Sequence, residues 1–186
     1  MDAIANLVVT KFGSVVTVVN PRFEERRITN RRTHALCFAK SGRMVYYHGG
    51  REFVSDTTHA LILPMGATYT SACTEAGEFP LINFYAADTF APDGFVSLEI
   101  AGTEAYMAEY QKMEKTALIK PPNEFLSNMR TFYGILNRIY KEKLHAAEGK
   151  SYDVLRPAVH YLEDHFTDPG LTNRMLAEKA LISEVY

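Results

Sequence analysis

The chain has little of several things at once. Its 186 residues include two cysteines, Cys37 and Cys73, and no apolar run approaches the ~20 residues that span a bilayer. Two cysteines do not make a disulfide scaffold. They read as small buried side chains in a reducing compartment, and no membrane association is expected. Neither charge is in excess: 20 Lys and Arg stand against 22 Asp and Glu, a net charge of −2. Residues 1–100 hold 9 basic and 10 acidic side chains and residues 101–186 hold 11 and 12, so neither half is a basic module that grips phosphates in bulk. The first residues contain Asp2 and Asn6 and lack a basic start followed by an apolar stretch. No secretory signal is therefore expected, and the expected location is cytoplasmic. P-loop, dinucleotide-binding glycine, zinc-protease and Gly-x-Ser-x-Gly patterns are missing as well.

What is present is a normal apolar content, 47%, enough for a core of ordinary size. It is arranged in two patterns. From residue 6 to about 87, short apolar runs rich in β-branched and aromatic residues alternate with turn residues. These predict strands near 7–12, 14–19, 34–39, 44–47, 52–54, 60–63, 68–73 and 81–85. Asn20-Pro21, Ser41-Gly42, Gly49-Gly50 and Pro64-Met65-Gly66 punctuate them. So many short strands predict a sandwich or barrel of jelly-roll type. Within 34–39 the alternation is bulky against small, His34, Leu36 and Phe38 against Ala35, Cys37 and Ala39.

After Gly102 the period becomes helical. Tyr106, Tyr110, Met113 and Ala117 form one stripe, with Thr103 as its expected N-cap and Lys120-Pro121-Pro122 as its end. Asn123 caps a second helix, in which Phe125, Met129, Phe132, Leu136 and Ile139 make a row flanked by Leu126, Tyr133 and Tyr140. This row either packs on the barrel or pairs with the same helix of a second subunit, and it is the expected seam of a homodimer. His145 to Lys150 is polar and small and reads as a linker. A third helix carries Leu155, Val159, Leu162 and Phe166 and closes at Asp168-Pro169-Gly170. Thr172 caps a fourth helix, and Ser183 is the expected cap of a fifth. A short helix, a tight turn and another capped helix outline a helix-turn-helix.

The stretch 155–186 closely resembles the start of the DNA-binding domain of AraC-type transcription regulators. The matching positions are Tyr161-Leu162, Leu171-Thr172, Leu176-Ala177, and Ile182-Ser183 before Tyr186; Asn173 departs from the usual aliphatic residue. The resemblance implies that Ser183, Glu184 and Tyr186 open a DNA-reading helix. It also implies that the sequence stops inside the first of two such units, so that the longer regulator binds DNA and these residues alone do not. The first hundred residues resemble, more loosely, the cupin-like sensor barrel of such regulators. Pro64 and Gly66 match the Pro-x-Gly turn of the second cupin motif, but Tyr69 replaces its histidine and Cys73 its later Asn. Gly42, His48 and Glu52 match the first motif, but Gly50 replaces its second histidine. Tight binding of a transition metal needs three or four converging ligands, so a metal-free barrel without a cofactor is expected.

The expected fold class is thus α+β. A cupin-like effector-sensing barrel spans 1–102, a helical dimerisation region 103–144, a linker 145–151 and an incomplete helix-turn-helix 152–186. A small-molecule effector, for which the resemblance implies carbohydrate among other classes, is expected inside the barrel. Its expected contacts are Phe38, Tyr46 and Tyr69 as aromatic walls and His34, Lys40 and Asn83 as polar groups. No catalytic residue is expected. Two other readings remain open: a metal-dependent cupin enzyme of isomerase or dioxygenase type, and a dimerisation module whose barrel takes no ligand.

Overall fold

The computed structural model describes residue 4 and residues 7–148 and 151–183, with the backbone alone at 145–148 and 151–153. It contains two compact units, residues 1–140 and residues 141–186.

In the first unit the described strands form two antiparallel sheets. The strands are β1 (Val9–Asn20), β2 (Glu25–Ile28), β3 (His34–Cys37), β4 (Arg43–His48), β5 (Arg51–Ser55), β6 (His59–Leu63), β7 (Tyr69–Glu75), β8 (Gly77–Ala86) and β9 (Val96–Glu99). One sheet has the order β1-β8-β3-β6-β9 and the other β2-β7-β4-β5. Residues 7–19 read as two strands around Gly13 but form one. β1 stays paired with β8 through register shifts between Val9 and Lys11 and between Phe12 and Val15, so bulges absorb the irregularity. The sequence pattern misses β2 and β9, and both are sheet edges. Glu25, Arg26 and Arg27 of β2 are exposed, and such charges blunt an edge while hiding its strand character.

The bulky-and-small alternation of β3 separates two cores. Leu36 and Phe38 join Ile62, Ile82, Phe84 and Leu98 on the face that meets the helices. Ala35, Cys37 and Ala39 join Tyr46, Tyr69, Leu61 and Leu63 between the two sheets. The turn at Ser41-Gly42 has a steric reason. Gly42 has φ +77°, and a Cβ there would come 2.5 Å from the Glu75 carbonyl oxygen. A Cβ on Gly77 would collide with the carbonyl oxygen of Ser41. The β3–β4 and β7–β8 connections therefore cross backbone to backbone.

Helix α1 (Glu104–Ile119) begins where expected, yet Thr103 does not cap it. The Thr103 backbone N–H and hydroxyl both donate to the Thr57 carbonyl, at 2.9 and 3.0 Å, which ties the helix to the β5–β6 turn. Lys120 closes it in the left-handed region at φ 52°. Helix α2 (Glu124–Glu148) follows Asn123 and continues through 145–148, where the sequence reads as a linker; residues 149 and 150 lie outside the described residues.

The expected dimer row is corrected by burial. Phe132, Leu136 and Ile139 are at most 4% exposed within the single chain, packed with Ile82, Phe84 and Tyr106. Side chains enclosed by their own barrel cannot also form a seam with a second subunit. Met129 is half-buried against the same core, and Phe125 of that row is exposed.

In the second unit, α3 (Ser151–His165) and α4 (Asn173–Ala180) are joined by the expected turn, where Asp168 Oδ1 accepts from the Gly170 N–H at 2.8 Å. Thr172 caps α4 by accepting from the Met175 N–H at 3.3 Å. Ala158, Ala177 and Ala180 are buried, so small side chains mediate this packing. Ser183 lies beyond the end of α4, whereas Glu184 and Tyr186 lie outside the described residues.

The Phe132 ring sits 5.0 Å from Phe84 and 5.5 Å from Phe12. Phe132→Ala is expected to lower unfolding free energy by about 3–5 kcal/mol in a denaturant titration. It should leave the mass of the folded protein in solution unchanged; a shift to half the mass with unchanged stability would restore the seam.

Candidate functional site

The space between the sheets is lined by small residues from one sheet and by aromatic and polar residues from the other, a consequence of which face each strand turns inward. Alternation in β8 sends Phe79, Leu81 and Asn83 inward and Ile82 and Phe84 towards the helices. In β4 and β7 it sends Tyr46 and Tyr69 inward.

A guanidinium sits among these groups. Arg31 lies in the turn before β3, where its backbone N–H donates to the Ala67 carbonyl (2.9 Å) and its carbonyl accepts from the Gly66 N–H (2.7 Å). That clamp aims the side chain inward. Nη1 donates to the Tyr69 hydroxyl at 2.9 Å, and Nη2 donates to Asn83 Oδ1 at 2.6 Å. Asn83 is itself fixed: Oδ1 also accepts from the Thr33 hydroxyl at 3.1 Å, and Nδ2 donates to the carbonyl and hydroxyl oxygens of Ser14 at 3.1 and 3.0 Å. The Nε atom of Arg31 is buried without a hydrogen-bond partner.

Next to this cluster the Cys37 thiol lies 3.3 Å from the Tyr46 hydroxyl and 3.9 Å from that of Ser55. Burial pushes the Cys37 thiol and the Tyr46 and Tyr69 phenols above their ordinary values, and the Arg31 charge opposes that rise at each. All three stay protonated at neutral pH, so the lining offers neutral donors and acceptors around one fixed charge.

Phe95 closes the aromatic side. Its ring lies 5.2 Å from Tyr69, 5.9 Å from Tyr46 and 5.1 Å from Phe53, and it stacks on His48 at 4.8 Å. Its outer side borders a cleft of about 780 Å³, lined by His48, Arg51, Phe53 and residues 89–96.

The structure brings together three of the six expected ligand contacts, Tyr46, Tyr69 and Asn83. The other three are corrected. Phe38 faces the helices and stacks on Tyr106 at 5.5 Å. His34 lies on the same face, stacked on Phe84 at 5.5 Å. Lys40 is exposed and pairs with Glu78 at 2.7 Å. In each case the strand places the residue on the outer face or beyond the sheet end. Arg31, the residue missed, is one of five arginines between positions 22 and 32, and nothing in their spacing separates it from its solvated neighbours.

Of the residues expected at motif positions, His48 Nδ1 is 2.9 Å from the Thr68 carbonyl oxygen, Glu52 is exposed, and Tyr69 accepts from Arg31. Among the described residues no three His, Cys, Asp or Glu side chains are grouped to hold a metal ion. Nor is any described helix long and apolar enough to cross a membrane.

No model of a known protein family matches the sequence, and no curated protein matches it. Solved structures do. The AraC-like transcriptional activator CuxR superposes with a TM-score of 0.51 and 13% identity, covering 91% of this chain and 66% of CuxR. ToxT from Vibrio cholerae gives 0.44 and 9%, covering 94% of this chain and 72% of ToxT. The ethanolamine utilization protein Q of Salmonella typhimurium gives 0.36 and 10%, over 42% of this chain and 69% of that one. The fold is thus the expected α+β one, two antiparallel sheets followed by helices, and it is shared with CuxR. The chain spans about two thirds of the length of CuxR.

One titration follows from the outer face. The His34 ring is 5% exposed, and Nδ1 accepts from the Met65 N–H at 3.1 Å, which a neutral ring alone can do. Burial, and then the Arg31 charge, lower its pKa below 6.5. The unfolded chain therefore binds the proton first. This contribution to stability is complete above the ordinary histidine value and is lost as pH falls through it towards the lowered folded value. Between about pH 7.5 and about pH 5.5, the wild type should lose more unfolding free energy than His34→Asn does. Equal losses would show that His34 does not carry the effect.

Proposed function

We propose that this chain is the effector-sensing part of an AraC-type transcription regulator, in which a small molecule bound between the sheets biases DNA binding by the helix-turn-helix that α3 and α4 begin. The observation that carries this reading is the Arg31–Tyr69–Asn83 cluster. A purely structural sandwich has no need of a charged group among its inward-facing side chains, and burying even part of one, as at the Arg31 Nε, is costly. The turn and Thr172 cap between α3 and α4 support the DNA-binding end, and the fold shared with CuxR supports the combination.

The chemistry supports binding over catalysis. Burial keeps Cys37, Tyr46 and Tyr69 in their protonated, unreactive forms, and among the described residues no base is bonded to them. Dimerisation remains part of the proposal on a different surface. Phe125 and Leu126 near the start of α2 are 45% and 71% exposed, and Leu118 and Ile119 at the end of α1 are 85% and 61% exposed.

One observation favours a second reading, a dimerisation module that takes no ligand: Phe95 already fills space between the sheets. A thermal-shift screen of sugars and small organic acids separates the two. A ligand of the folded barrel is expected to add about 2.7 kcal/mol of apparent stability at a hundredfold its Kd. If no compound raises the melting temperature, the second reading stands.

A further inference from the structure

We propose that the barrel takes a small organic monocarboxylate, its carboxylate held by Arg31 and its apolar body lying against Tyr69 and Phe95. The proposal rests on the effector-barrel reading and names the chemical class.

The argument begins with charge. A guanidinium keeps its charge in proteins and has five N–H donors and no acceptor. Arg31 gives two of its nitrogens to neutral oxygens, Tyr69 Oη and Asn83 Oδ1, and the third, Nε, is buried without a partner. None of the ion pairs among the described residues includes it. An anion beside Nε would supply both the missing acceptor and the missing countercharge. The charge-assisted bond it forms is about twice as strong as a neutral one.

The class follows from the lining. Ser55, Ser71 and Asn83 are buried and uncharged, and Cys37, Tyr46 and Tyr69 are held protonated. One positive charge matches one negative charge. A phosphate dianion would leave a second charge uncompensated in a site of low polarity. Beside the guanidinium, the Tyr69 and Phe95 rings meet edge to face with centres 5.2 Å apart, and an apolar body entering here lies against them. A carboxylate on an aromatic or aliphatic body meets both features, whereas a sugar, neutral and covered with hydroxyls, leaves the charge uncompensated.

Two things set Arg31 apart from a merely structural arginine. Its backbone is fixed by Ala67 and Gly66, and its Asn83 partner is held in turn by Thr33 and Ser14, so the group is oriented before a ligand arrives. Its Nε is, besides, a buried donor left without a partner beside that fixed cluster.

The test uses the full 186-residue chain and matched pairs of probes: benzoate with benzamide, phenylacetate with phenylacetamide, octanoate with octanamide, and inorganic phosphate and arabinose as further arms. Thermal shift and titration calorimetry are the readouts. At least one carboxylate should raise the melting temperature and its amide should not. Arg31→Gln should weaken that binding roughly ten- to a hundredfold, the size expected when a charge-assisted hydrogen bond is lost. Arg31→Lys, which keeps the charge, should recover most of it. The comparison of acid with amide needs no variant, so it decides the matter even if Arg31→Gln fails to fold. Amides equal to acids, phosphate in preference to both, or carboxylate binding unchanged in Arg31→Gln would overturn the proposal. If arabinose or an amide binds and no carboxylate does, the monocarboxylate falls and the effector barrel stands. If nothing in the panel binds, both fall.

Discussion

The five-stranded sheet is covered on both faces, by the second sheet on one side and by α1 and α2 on the other, and most of the architecture follows from that double burial. A strand with one face in water alternates apolar with polar. A strand buried twice must instead alternate by volume, because each side has its own space to fill. In β3 the large side chains meet the helices and the small ones meet the opposite sheet. Small residues at Ala35, Cys37 and Ala39 leave room for the rings of Tyr46, Tyr69 and Phe95. The same constraint employs α2, since Phe132, Ile135, Leu136 and Ile139 cover the outer face of the sheet.

Against this apolar background one cation changes the energetics of its neighbours. Burial alone disfavours ionisation of the Tyr46 and Tyr69 phenols and the Cys37 thiol, and the Arg31 charge only partly offsets that. The lining therefore remains neutral while its hydrogen bonds run in one direction, from Thr33 and Arg31 into Asn83 and from Asn83 into Ser14. Such a network is rigid when satisfied and expensive where it is not. Its unsatisfied point is the Arg31 Nε, so the free energy available for recruiting an anion is concentrated on one atom.

How much of this was legible in the sequence depended on whether the signal was local. Period-2 text and turn residues located most strands, and the Thr172 and Asp168 signals located the α3–α4 turn, because caps and turns are decided within a few residues. The row on α2 showed that a face is buried, but periodicity cannot say against what; the answer, its own barrel, is a tertiary fact. The inward face of β3 was hidden for the same reason. Phe38 reads as a ligand contact because large aromatic groups suggest a pocket, and His34 because a polar group on the same strand does, yet here bulk marks the helix side and smallness marks the interior. Arg31 was the hardest to find. Its direction is set by Gly66 and Ala67, some thirty-five residues further on, and no pattern near position 31 encodes that clamp.

The connection between β8 and β9 also joins the two cores. Phe90 is buried on the helix side, 5.1 Å from His34 and 6.4 Å from Phe84, and Phe84 lies 5.0 Å from Phe132 of α2. Five residues on, Phe95 is buried between the sheets against Tyr46 and Tyr69. One short segment thus has an aromatic anchor in each core. A residue advances the chain by at most about 3.3–3.6 Å, so the two anchors cannot move far independently. A group that displaces Phe95 must either be absorbed by residues 91–94 or pull on Phe90. The second course disturbs the ring contacts through which α2 is seated, because close-packed cores transmit displacement instead of cushioning it. The interior of the barrel and the helical face are in this way mechanically joined through side chains already in contact, with no hinge elsewhere required.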